Sequence, residues 1–163
     1  MSNNFNFENA IQEGLRLGQE GLCAKDKIKE ILESFANDLQ RILSEQSNKQ
    51  ISVQPQHVII RKKLSPIEAL VTIGSEAPPI KEEYDGVCLF DESTAKDPFV
   101  VFRYEIDPIS GYPCKIRYSS NLFSCKDETA LIVTIKDVMK YRGLAISEKV
   151  RELVKNSNKE EKQ

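Results

Sequence analysis

The chain has 163 residues, 40% of them apolar and 29% charged, with a formal charge of −2 at neutral pH. This composition excludes a globally disordered chain, and the near-neutral charge gives no reason to expect a general nucleic-acid or acidic-membrane binder. The length fits one domain, or one domain with an appendage.

Residues 7–22 place Phe7, Ile11, Leu15, Gly18 and Leu22 at steps of three and four, which is one helical face, with Asn6 available as N-cap. Gly14, Gly18 and Gly21 each weaken such a helix by up to roughly 1 kcal/mol relative to alanine, unless their small size admits a close neighbour. A break is expected between residues 21 and 25, with Asp26 capping a second helix. That helix is the clearest periodic segment of the chain: Ile28, Ile31, Leu32, Phe35, Leu39, Ile42 and Leu43 form one apolar stripe. Together the two helices make an arm of about 35 residues, or roughly 50 Å, more than a sheet of this size covers. Phe35 and Leu39, near the centre of the stripe, are therefore expected to meet another chain, either a dimer mate or a foreign protein.

A strand is expected over residues 56–62, with Pro55 confining residues 51–53 to a sheet edge or beyond it. A second strand is expected over residues 67–73 and a short one over residues 87–90. The segments between them, residues 74–86 and 91–97, read as two acidic loops containing Glu76, Glu82, Glu83, Asp85, Asp91, Glu92 and Asp97.

Residues 97–120 alternate on both sides of an Asp-Pro-Ile-Ser-Gly turn, the pattern of an antiparallel hairpin. Val100, Phe102, Tyr104 and Ile106 form the expected inward row, with Phe99, Val101, Arg103 and Glu105 outward. Across a five-residue loop (108–112), Tyr104 is expected to face Ile116, Phe102 to face Tyr118, and Glu105 to face Lys115. A short strand follows at residues 122–125. Asp127 then caps a helix carrying Leu131, Ile135, Val138 and Met139 on one face, although the run Ile132-Val133-Thr134-Ile135 also fits a strand. Gly143 is expected to end that helix and Ser147 to cap a last one, leaving a frayed tail from Asn156.

The architecture implied is α+β: a two-layer domain with a mainly antiparallel sheet of about five strands, covered on one face by N-terminal and C-terminal helices. Residues 1–50 form the helical arm, 51–156 the core and 157–163 a flexible tail. Cys23, Cys88, Cys114 and Cys125 make no CxxC pair, no window approaches the roughly 18 apolar residues of a membrane span, and the opening residues lack a basic–apolar leader. The expectation is a cytoplasmic protein with reduced thiols.

No chemical constellation emerges. His57 has no short-range partner, the cysteines lack zinc-module spacing, and there is no phosphate-binding glycine loop. No catalytic, cofactor or metal residues are assigned. The function expected is a non-enzymatic protein-binding module of the immunity-protein, antitoxin, chaperone or assembly-adaptor kind. Its binding residues are read as Phe35 and Leu39 on the arm and Glu82, Glu83, Asp85, Asp91 and Glu92 on an acidic rim suited to a basic partner. Two alternatives stand beside it. One is a small enzyme using the acidic residues with His57 or Cys125; the other is an RNA- or DNA-binding protein using Arg103, Lys115 and Arg117 on the outer sheet face.

Overall fold

A computed structural model describes residues 7–61, 65–73, 81–91 and 97–160. In chain order the elements are α1 (Glu8–Ser47), β1 (Ser52–Arg61), α2 (Pro66–Thr72), β2 (Lys81–Phe90), β3 (Phe99–Asp107), β4 (Gly111–Tyr118), β5 (Asn121–Cys125) and α3 (Glu128–Glu160). The five strands form one antiparallel sheet in the order β1-β2-β3-β4-β5. The α+β, two-layer architecture read from the sequence is the one the chain adopts.

The helices are longer than expected. No break occurs between residues 21 and 25, because α1 continues for 40 residues to Asn48, whose left-handed backbone closes it. Gly21 survives inside the helix for a packing reason: a Cβ there would lie 2.2 Å from the Ile109 carbonyl oxygen in the β3–β4 turn. The turn is thus seated on α1, where Lys25 Nζ also donates to the Pro108 carbonyl. Residues 128–140 are helical, as the Asp127 cap implied: Asp127 Oδ1 accepts the Ala130 N–H at 2.8 Å. Neither Gly143 nor Ser147 interrupts α3, which runs on to Glu160 through the stretch expected to fray.

Residues 67–73 are not a strand. Ser65 Oγ accepts the Glu68 N–H, and the Glu68 carboxylate accepts the Ser65 N–H at 2.9 Å. This capping box, followed by Pro66 in the first turn, commits the segment to helix. β1 starts earlier than expected, at Ser52. Pro55 stands opposite Val87 within it and is tolerated because β1 is an edge strand with one side unpaired. β2 begins at Lys81, so Glu82, Glu83 and Asp85 lie on a strand and not in a loop. Residues 74–80, including Glu76, and 92–96, including Glu92, lie outside the described residues, as does Asn6.

The central hairpin has the expected register, with Tyr104 opposite Ile116 and Glu105 opposite Lys115. Its connection is three residues long, because β4 already begins at Gly111. The row assignment changes partway along β3. Val87 pairs with Phe102 and Cys88 with Val100, so Val101 is the extra residue of a β-bulge. The bulge resets the alternation. Val101, expected outward, is fully buried, and Phe99 packs on the core beside it. Val100 turns to the other face, where its side chain lies beside Gly86.

The core lies between the sheet and the two long helices. Ile28, Leu32, Ala36, Leu39 and Leu43 of α1 meet Leu131, Ile135, Val138, Ile146 and Leu153 of α3 over Val53, Val87, Phe102, Cys114 and Ile116. Side chains of this size stabilise the fold by about 1.5–3 kcal/mol each when fully buried.

Candidate protein-binding surfaces

Every residue of α1 from Glu8 to Glu20 is exposed; burial begins at Gly21, where the β3–β4 turn meets the helix. At about 1.5 Å per residue, α1 is roughly 60 Å long, and its first third projects beyond the sheet. Phe7, Ile11, Leu15 and Leu22 stand on this projection with 63%, 59%, 65% and 61% of their surface exposed, far above what a monomer's own core would leave. Gly14 and Gly18 share the projection, and a Cβ at either would meet nothing within 4 Å. They cost helix stability, and among the described residues nothing uses the space they leave.

The residues singled out further along the helix are placed differently. Leu39 is buried within the chain's own core. Phe35 is half-buried, its ring 5.6 Å from that of Phe102. Its remaining surface lines a groove of about 420 Å³ between α1 and α3, with Ile31, Ile132 and Ile135 as apolar neighbours. The surplus apolar stripe therefore lies roughly four to seven turns before Phe35, on residues 11–22.

Among the described acidic residues, Glu83 and Asp85 are exposed, Glu82 is half-buried and Asp91 is buried. Asp91 is only 6% exposed and holds Lys49 Nζ at 2.5 Å. Arg103 donates to Glu82 while its guanidinium lies 3.7 Å over the Tyr84 ring. Asp85 and Glu83 flank His57: Asp85 Oδ1 is 2.8 Å and Glu83 Oε2 3.7 Å from its ring nitrogens. The hydrogen bond to Asp85, chiefly, raises the His57 pKa above its ordinary value. No sequence signal linked His57 to Asp85, which is 28 positions away; only the β1–β2 register makes them cross-strand neighbours.

His57, Asp85, Tyr84, Arg103, Lys115 and Arg117 are among the residues lining an open hollow of about 570 Å³. Its charges are largely matched, since Lys115 pairs with Glu105 at 3.2 Å and Arg103 with Glu82. Cys88, Cys114 and Cys125 are buried thiols, and Cys23 is exposed on α1. Burial pushes the Cys88 thiol up to about 11 and Cys114 to about 12, and raises Cys125, whose Sγ contacts Thr134 Oγ1 at 3.4 Å. Cys114 and Cys125 are direct cross-strand partners and remain thiols. Among the described residues, no group of three or more His, Cys, Asp or Glu side chains is placed to hold a metal ion, and no helix is long and apolar enough to cross a membrane.

No protein-family model, curated protein or solved structure matches the chain.

Proposed function

We propose that the protein is a non-enzymatic protein-binding module, of the adaptor, chaperone or immunity-protein kind, whose docking element is the exposed first third of α1. The observation that carries this reading is the apolar row Ile11, Leu15 and Leu22, more than half exposed on a helix against which the β3–β4 turn packs at Gly21. A rigid helix presenting an apolar face loses little conformational entropy when a partner covers it. The acidic side chains, already engaged with Lys49, Arg103 and His57, play a secondary part.

The test is native mass spectrometry of the protein isolated from the cells that make it. The wild type should run in an assembly heavier than its own 18.5 kDa. Leu15→Asp should return it to monomer mass with an unchanged circular dichroism spectrum. A wild type found only at monomer mass would overturn the reading.

A second reading rests on the His57–Asp85 pair in an open hollow, an arrangement suited to general acid–base chemistry. Against it, the described residues lining the hollow include no cysteine, serine or threonine to act as a nucleophile. His57→Gln should abolish any hydrolytic activity found in a broad substrate screen. Activity undiminished by that change would remove this reading.

A further inference from the structure

We infer that the occupant of the α1 projection is a second copy of this chain, with the two projections packed antiparallel about a two-fold axis between Gly14 and Leu15. The inference rests on the reading of this helix as the docking element and specifies its partner.

The spacing of Ile11, Leu15, Gly18 and Leu22 is four, three, four, the seam of a paired helix. An antiparallel two-fold relates positions whose numbers have a constant sum. When that sum is 29, Ile11 faces Gly18, Leu15 faces Gly14, and Phe7 faces Leu22. Each branched side chain near the axis then enters the space left by a glycine, and the two glycines with no intramolecular neighbour acquire a use. A parallel, in-register pair would set Gly18 against Gly18 and leave a gap there.

The flanks of the seam fit self-pairing. Gln12, Gly14, Gln19 and Gly21 border it and carry no charge, so two identical faces meet without like-charge repulsion. Three of the four charged residues of the projection pair with one another, Arg16 binding both Glu13 and Glu20, and Glu8 accepts from Gln12 Nε2 at 3.3 Å.

At 3.6 residues per turn the exposed row is centred roughly 80° around α1 from the buried row Ile28, Leu32, Leu39 and Leu43, so a helix docked on the projection lies to one side of the sheet. In an antiparallel pair the two sheets lie at opposite ends, and the end of each docked helix reaches the other copy's turn, where Ile109 is 81% exposed.

Sedimentation equilibrium of the full chain, up to about 1 mM, reads the association directly. The wild type should dimerise, and Leu15→Asp should remain a folded monomer. Gly18→Leu adds apolar surface and helix propensity but fills the space Ile11 needs, so it should raise the dimer Kd at least tenfold. A generally adhesive stripe would instead associate more tightly. Direction is read by oxidising a mixture of Ile11→Cys and Gly18→Cys chains, both also carrying Cys23→Ser, the other cysteines being buried. Antiparallel packing gives the mixed disulfide as the main product.

A predominance of disulfides between two Ile11→Cys chains, tighter association of Gly18→Leu, or a wild type monomeric throughout would each overturn the inference. A monomeric wild type that still forms a heavier, Leu15-dependent assembly with a foreign chain in native mass spectrometry would leave the docking function standing. If it forms neither, both fail.

Discussion

The Arg142 guanidinium reaches from α3 to the backbone of Val101, donating through Nε to its carbonyl at 3.1 Å and through Nη2 to that of Val100 at 2.8 Å. These carbonyls belong to the β-bulge, where the paired register with β4 has not yet begun, since it starts at Arg103. The side chain also lies 5.0 Å over the Phe99 ring. Arg142→Ala leaves two part-buried acceptors without their donor and should cost about 1–3 kcal/mol in urea unfolding. Arg142→Lys keeps the charge but cannot span both carbonyls, so it should recover only part of that loss.

Glycine substitutions should separate by position. Gly21→Ala forces the β3–β4 turn off α1 and should destabilise by about 1–3 kcal/mol despite alanine's better helix propensity. At Gly143 a Cβ meets nothing within 4 Å, so Gly143→Ala should stabilise by up to roughly 1 kcal/mol. Thermal unfolding of the two variants checks the contrast, and equal effects would contradict it.

His57 should titrate above its ordinary value of about 6.5 in an NMR series, and Asp85→Asn should bring it back down. A histidine whose folded pKa is raised contributes stability fully below its unfolded pKa. The contribution disappears as pH rises through the folded pKa. The part of the wild-type advantage over Asp85→Asn that arises from this titration should therefore be present near pH 6 and absent once His57 is neutral. The exposure of the pair keeps the effect small.

Asp91 and Lys49 should behave as a structural pair. Asp91→Ala leaves the ammonium without its carboxylate in a part-buried site and should cost about 3 kcal/mol, the lower end for a broken buried pair. Lys49→Met should also destabilise, and the double variant should lose less than the sum of the two. Additive losses in chemical denaturation would mean that the two residues act independently.

What could be read from the sequence follows from how far each physical signal reaches along the chain. Alternation in β3 and β4 and the stripe from Ile28 to Leu43 are local patterns, and they gave the hairpin register and the helical layer. The four-residue cap from Ser65 to Glu68 is equally local and outweighs the strand-like apolar run after Pro66, which makes α2 a helix. The bulge at Val101 left no mark, because Phe-Val-Val-Phe fits either face until β2 selects the register. Propensity alone makes a glycine a helix end, whereas tertiary packing carries α1 through Gly21. The His57–Asp85 contact exists only through strand pairing. The length of the arm implies surplus apolar surface, but its place on residues 11–22 rather than at Phe35 depends on where the sheet stops.

The Lys49 ammonium joins three distant parts of the chain, donating to Asp91 after β2 and, at 3.1 Å, to the Leu153 carbonyl in α3. The sheet is a meander whose strands each pair with their nearest sequence neighbours, so it can assemble progressively as the chain emerges during synthesis. The helical layer cannot. The inner face of α1 is made first, yet it waits for Leu131, Ile135 and Val138 of the last element before its cover is complete. A nascent chain stalled before α3 therefore carries two apolar surfaces, one temporary and one lasting. Chains ending at residue 127 should bind a hydrophobic dye strongly and be cut readily by protease, and adding the α3 segment as a separate peptide should suppress both. Once α3 is in place that cover is complete, and the exposed large apolar side chains left on α1 are those of its projecting third and Ile42.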